Sequence, residues 1–206
     1  YYNPVDGKNL NRVYPGNKDG TLSERIAYTI TNQVIKKADY LVDMHGGDGN
    51  EALMPYIYMP DTNNEAINKA VKGMAEAFGT KYIVIDKTKI PKLSQSTYVD
   101  ATGLSLGIPS ITTETGKLGQ NTKIIVDIAE NGVWNLLRHL KMIEGKNIPR
   151  KPVIWLHDYK VITSPENGFF RASVHEESLV YNGEIIGELF DFFGNLIKEI
   201  KAPYDG

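Results

Sequence analysis

Three short stretches of this chain carry residue types that can do chemistry. In Asp43-Met44-His45-Gly46-Gly47-Asp48, a histidine stands where an apolar run gives way to a Gly-Gly turn. A neutral imidazole is a good zinc ligand, and a nearby carboxylate such as Asp43 can orient its other nitrogen. The glycines let backbone come close to a ligand. In Thr112-Thr113-Glu114-Thr115-Gly116, a glutamate ends a second apolar run. Such a carboxylate can take a proton from an attacking water and return it to a leaving amine. Asn9-Leu10-Asn11-Arg12, followed by Tyr14-Pro15-Gly16, offers a guanidinium fork and an amide for a substrate carboxylate. Each stretch also has an ordinary reading: a loop histidine in a structural hydrogen bond, a solvated loop glutamate, an arginine tying a surface loop together.

These residues need elements to hold them. Residues 3–20 are rich in Asn, Gly, Asp and Pro and read as a loop with several turns. Thr21-Leu22-Ser23-Glu24 has the form of a capping box, and Ile26, Ile30, Val34 and Ile35 continue at helical spacing to about Lys37. Tyr40 to Met44 is a short apolar run, as in a buried strand. Met54 to Met59 and Tyr82 to Ile85 read as further strands, and Ile108 to Thr113 as one that ends at Glu114. Residues 63–78 form a helix with Ile67, Val71, Met74, Ala75 and Phe78 on one face. Residues 121–144 form a longer helix with Ile125, Ile128, Val133, Leu136, Leu137 and Leu140 turned inward. Alternating strands and helices predict an α/β fold, a mixed sheet flanked by helices. In such sheets the site lies beyond the carboxyl ends of strands, where His45 and Glu114 fall.

The pattern changes after Gly145. Lys146 to Pro152 reads as a basic, proline-containing linker, and beyond it short strands alternate with Asn167-Gly168, Asn182-Gly183 and Gly194-Asn195 turns. The expected division is an α/β domain over 1–146, incomplete at its N-terminus, and a small all-β domain over 147–206, incomplete at its C-terminus.

Composition narrows the partners. The 206 residues include no cysteine, so any metal must be held by His, Asp or Glu. A net charge of −2 gives no reason to expect nucleic acid or an anionic membrane as partner. No segment has the long apolar run of a membrane helix. The compartment stays open, with the cytoplasm favoured, and a homo-oligomer is compatible with the sequence. His139, His157 and His175 read as packed or surface residues. Gly116-x-x-Gly119 lacks the Lys-Ser/Thr of a phosphate loop.

Taken in order, the stretches Asn3-Pro4-x-Asp6-Gly7, Asn9-Leu10-Asn11-Arg12-x-Tyr14-Pro15-Gly16, Asp43-x-His45-Gly46-Gly47 and Gly107-Ile108-Pro109-Ser110-Ile111-Thr112-Thr113-Glu114-x-Gly116 resemble the succinylglutamate desuccinylase/aspartoacylase family of zinc carboxypeptidase-like hydrolases. The resemblance runs from about Asn3 to the end, where Ser164 to Phe170, Val180 to Gly187 and Asp191 to Gly194 look like that family's barrel-sandwich-hybrid-like β domain. It implies a zinc-dependent amide hydrolase that removes the acyl group from an N-acyl amino acid or a similar small carboxylate. Alternatives are a carboxypeptidase on short peptides, or a non-catalytic protein that binds small carboxylates without zinc. The resemblance implies His45 as third zinc ligand, Glu114 as general base and acid, and Asn11 and Arg12 as binders of the substrate carboxylate. The family's first two zinc ligands belong to a His-x-x-Glu motif upstream of the Asn-Arg segment, and a carbonyl-polarising Arg is also expected there. No histidine precedes His45 and no arginine precedes Arg12, so the sequence is expected to begin inside a longer protein. A chain without the catalytic zinc site is the other account.

Overall fold

The computed structural model describes residues 2–87, 89–146, 148 and 152–206. The chain divides into two compact units, Tyr1–Asp158 and Tyr159–Gly206.

The first unit is built on five strands: β1 (Leu41–His45), β2 (Tyr56–Asp61), β3 (Tyr82–Lys87), β4 (Ser110–Glu114) and β5 (Ile154–Leu156). Their order across the sheet is β1-β4-β2-β3-β5. β1 runs parallel to β4, and β2, β3 and β5 run parallel to one another. Only the β2–β4 pairing is antiparallel, with Tyr56 opposite Glu114 and Tyr58 opposite Thr112. The start of β2 therefore lies beside the ends of β1 and β4.

Side chains alternate across a strand, so the register sorts them by face. Val42, Ile57 and Ile111 turn to one side, where they join the core with Ile67, Val71, Met74 and Phe78 of α2 (Glu65–Phe78) and Leu136 of α4 (Lys123–His139). Asp43, His45, Thr112, Glu114, Tyr56 and Tyr58 share the opposite parity and line up in neighbouring rungs. The sheet thus has an oily face that holds the fold and a polar face that carries the titratable groups.

The α2 stripe is the one its periodicity predicts, and every residue of it is buried. Asn64 caps α2 by accepting from the Ala66 and Ile67 amides, and Gly79, at φ 90°, ends it in the left-handed conformation. α4 stops at His139, short of the expected 144, but turns the expected face inward. α1 (Leu22–Gln33) differs: its buried residues are Ser23, Ala27 and Thr31, while Ile26 and Val34 are exposed. A small-residue stripe lets the helix lie close against the loop before it. At Gly16 an added Cβ would stand 2.0 Å from the Tyr28 backbone nitrogen. The expected capping box at Thr21 and Glu24 is present. The helix α3 (Val99–Ser105) was not expected at all, because seven residues are too few for a periodic signal.

Most of the expected linker, Asn147, Pro149, Arg150 and Lys151, lies outside the described residues. β5 follows it and pairs with β3, through Ile83 and Trp155 among others. The first unit accordingly runs to Asp158, whereas the sequence reading places the division after residue 146. A three-residue edge strand has no periodicity of its own, so only its partner reveals where it belongs.

The second unit holds a three-stranded antiparallel sheet in the order β6-β7-β8: Phe169–Ala172, Ile185–Phe190 and Leu196–Lys201. Leu189 and Ala202 are its buried apolar residues. The β7–β8 turn is tied by Asp191, whose carboxylate accepts from the Phe193 and Asn195 amides and from the Asn195 side chain. Gly194 supplies the positive φ of 84° that the turn requires.

Candidate functional site

The site begins with the ladder between β1 and β4. Its parallel register sets His45 directly beside Glu114 at the strand ends. Backbone bonds continue past the strands: Thr115 donates to the His45 carbonyl at 3.0 Å, Gly47 to Gly116 at 2.8 Å and Gly119 to Gly47 at 2.9 Å. Gly46 and Gly116 face each other so closely that a Cβ on Gly46 would stand 3.0 Å from the Gly116 Cα. The two glycine turns are thereby held edge to edge just beyond the ends of β1 and β4.

His45 is held by its neighbours. Its Nε2 lies 2.9 Å from Asp43 Oδ2. An ionised carboxylate can only accept, so this contact places the imidazole proton on Nε2. The Asp43 hydrogen bond raises the pKa of His45; burial opposes this, and the charges of Asp43, Glu114 and Asp100 add to it. Tyr14, nearby and buried, is pushed up to about 12 by burial and by the Asp43 charge.

Asn11 sits in the 3-10 turn Leu10–Arg12, capped by Asn9, whose side chain accepts from the Asn11 amide. The Asn11 side-chain nitrogen donates to Asp43 Oδ2 at 3.0 Å and lies 3.1 Å from His45 Nε2. Its oxygen accepts from the Val99 amide at 2.8 Å. Asn11 thus joins the Asp43–His45 pair, a juxtaposition absent from the sequence reading. Arg12 packs its guanidinium 4.6 Å from the Tyr98 ring centroid and donates to the Asn11 carbonyl at 2.6 Å. The segment before α3 is bound to the same turn, since Tyr14 and Thr97 exchange backbone hydrogen bonds at 3.2 and 3.0 Å.

Glu114 is different. Among the described residues its carboxylate makes no hydrogen bond or ion pair, although it is only partly exposed. Burial raises its pKa; His45 pulls it down, while the charges of Glu51, Asp43 and Asp48 push it up. Beside it in β2, Tyr56 donates to the Tyr58 hydroxyl at 3.3 Å and meets that ring edge-on. Asp100, which sequence reading missed, accepts from Thr112 on the same polar face at 2.9 Å. No motif marked it, because it lies in the first turn of the short α3.

For a metal ion the described residues fit as part of a site. With Nε2 given to Asp43, Nδ1 of His45 keeps its lone pair for a ligand bond. Among the described residues no group of three or more His, Cys, Asp or Glu side chains is disposed to hold a metal. A tight zinc site uses at least three protein ligands.

Comparison with known proteins follows the same lines. Over 210 aligned residues the chain is 28% identical to the N-alpha-acetyl-L-2,4-diaminobutyric acid deacetylase of Halomonas elongata, covering 98% of this chain and 60% of the relative. The crystal structure of succinylglutamatedesuccinylase/aspartoacylase from Rhodobacter sphaeroides is 25% identical, with a TM-score of 0.86 over 100% of this chain and 62% of that one. The product-bound ectoine utilization protein EutE (DoeB) from Ruegeria pomeroyi shares the fold at a TM-score of 0.90 and 24% identity, covering 100% of this chain and 63% of that one. The chain therefore spans less than two thirds of the length of these relatives. The family described as the Succinylglutamate desuccinylase/Aspartoacylase catalytic domain matches residues 1–140, and the chain belongs to that family.

Proposed function

We propose that the protein containing this chain is a zinc-dependent amide hydrolase that cleaves the acyl group from an N-acyl amino acid or a similar small carboxylate. The observation that carries this reading is the rung that sets His45 beside a half-buried Glu114 whose carboxylate has no partner among the described residues. The relative from Halomonas elongata, named for deacetylating an N-acetylated diamino acid, supports the substrate class. A zinc-carboxypeptidase-like ancestry belongs to the same proposal.

His45 would serve as one zinc ligand through Nδ1, with its ring held by Asp43. A zinc ion there would lower the pKa of a bound water and polarise the acyl carbonyl. Glu114 takes the proton from the attacking water and passes it to the leaving nitrogen as the C–N bond breaks, giving a carboxylic acid and an amine. Its raised pKa suits both halves of that task, since a group that both takes and gives a proton works best near the operating pH. Arg12, steadied by the Tyr98 ring, grips the substrate carboxylate. Asn11 beside it is the expected partner of Arg12 in that grip.

The test is a screen of N-acyl amino acids for amide cleavage by the whole protein, with zinc analysis. Glu114→Ala should cut turnover by roughly 10²–10⁴-fold while zinc stays bound. His45→Ala should lose zinc, and near-normal turnover in Glu114→Ala would remove that residue from the mechanism. One observation favours a second reading, a carboxylate-binding protein without catalysis: no three-ligand group exists among the described residues. Carboxylate binding with neither zinc nor turnover in the whole protein would select it.

A further inference from the structure

We infer that residues 97–99 are a positioning clamp for the Asn11–Arg12 turn, and that a strained backbone at Thr97 is what seats the Tyr98 ring against the Arg12 guanidinium. The inference rests on the reading of Arg12 as a grip on the substrate carboxylate. Three successive residues of one segment each hold a residue of the other, in reverse order. Thr97 exchanges backbone hydrogen bonds with Tyr14 at 3.0 and 3.2 Å. The Tyr98 ring centroid lies 4.6 Å from the Arg12 guanidinium. The Val99 amide donates to the Asn11 side-chain oxygen at 2.8 Å. Only the middle contact bears on the charged group. Arg12 is exposed, and no carboxylate is paired with it among the described residues. A free-swinging guanidinium would have to be ordered when substrate binds, and the ring removes that cost beforehand.

The segment is bent sharply to make this fit. The Tyr98 amide donates to the Ser96 carbonyl, two residues back, at 2.7 Å, and Thr97 between them has φ 56°. This is a γ-turn of the rare, strained kind. A β-branched residue at positive φ is an outlier that its surroundings must hold in place. The Thr97 side chain is exposed, so its own burial does not offset the strain. The support comes from either side. Tyr14 is buried and takes both backbone bonds of Thr97. Ser96 is buried with its hydroxyl 2.7 Å from that of Thr102, and Thr102 donates to the Tyr98 carbonyl at 2.7 Å. The turn reverses the chain within three residues, which brings Tyr98 round to Arg12 while Thr97 stays paired with Tyr14.

The test uses the whole protein, labelled with ¹³C,¹⁵N-arginine for NMR and assayed on N-acyl amino acids. In the wild type the Tyr98 ring current should shift the Arg12 Hδ protons upfield, and Arg12→Lys identifies that signal by its absence. Tyr98→Phe should keep the shift and Tyr98→Leu should lose it. KM should be about two- to fivefold higher in Tyr98→Leu than in Tyr98→Phe, with kcat alike in the two, because an exposed cation–π contact is worth about that factor and acts on binding. Thr97→Gly is the second variant. Glycine takes positive φ at no steric cost, so this variant should keep the Arg12 shift and melt at no lower a temperature than wild type. Equal Arg12 shifts and equal KM in Tyr98→Phe and Tyr98→Leu would overturn the inference, as would a difference that fell on kcat alone. If Thr97→Gly melts lower or loses the shift, the part assigned to the strained turn falls. The Arg12 shift is read without turnover, so a protein that cleaves no N-acyl amino acid fails the proposed function and leaves the clamp still decidable.

Discussion

The ends of β1 and β4 are neighbours in one ladder, yet they treat their side chains in opposite ways. His45, on β1, is locked: Asp43 holds its Nε2, Asn11 holds Asp43, and Val99 holds Asn11. Glu114, on β4, is enclosed but has no side-chain or backbone partner for its carboxylate among the described residues. The difference matches what the two proposed roles require. A metal ligand gains from a fixed ring, because every degree of freedom removed beforehand strengthens the bond to the ion. A proton carrier must change protonation state and reach two different atoms in turn, which a saturated carboxylate cannot do.

The comparison can be broken at either end. The largest effect is expected from Asp43→Ala, which frees the ring on the locked side. Zinc affinity of the whole protein should fall about 10–100-fold, whereas Glu114→Ala should leave it near wild type. Equal losses in the two variants, measured by competition with a chelator, would erase the distinction between the strand ends.

A smaller effect is expected in stability. Burial raises the Glu114 pKa in the folded state, so its contribution to stability is fully present below the unfolded value of about 4.3 and is lost as pH rises through the folded one. Above the folded pKa the ionised carboxylate, which has no partner among the described residues, therefore costs stability. Glu114→Gln should melt at a higher temperature than wild type at neutral pH, and the gap should close as the pH is lowered toward the unfolded value. A lower melting temperature at neutral pH would mean that the carboxylate has a stabilising partner after all.

The smallest effect concerns tuning. Glu51 raises the Glu114 pKa by its charge while its carboxylate accepts from the Asp48 amide at 2.9 Å. Glu51→Gln keeps an acceptor oxygen but removes the charge, so the acidic limb of the kcat/KM profile should move to lower pH. An unmoved limb would assign it to another group.

The sequence and the structure agree where the signal is periodic or punctuated. The buried face of α2 was readable because five apolar residues recur at helical spacing, and the strand-end positions of His45 and Glu114 because each closes its run shortly before a glycine. The α1 stripe was misread because Ser23, Ala27 and Thr31 are buried by virtue of being small, which hydropathy does not register. α3 and β5 were too short to announce themselves. The partners of Asn11 were invisible for another reason: Asp43 lies 32 residues away in sequence and Val99 lies 88 away. Asparagine followed by arginine looks like a pair with one job. Folding turns the Asn11 side chain toward Asp43 on the sheet and sets the Arg12 guanidinium over the Tyr98 ring, contacts that the two residues' neighbours in sequence do not announce.

The facing glycines at the ends of β1 and β4 have a consequence for anyone who would redesign this protein. Gly46 and Gly116 leave no space for a side chain between them, and Gly47 and Gly119 lace their loops together by main-chain bonds that no choice of side chain supplies. The two loops are therefore a single inheritable part. A graft that imports one from a relative with different selectivity, and keeps the native other, brings mismatched edges together. A successful exchange would move residues 45–53 and 114–119 as a matched set.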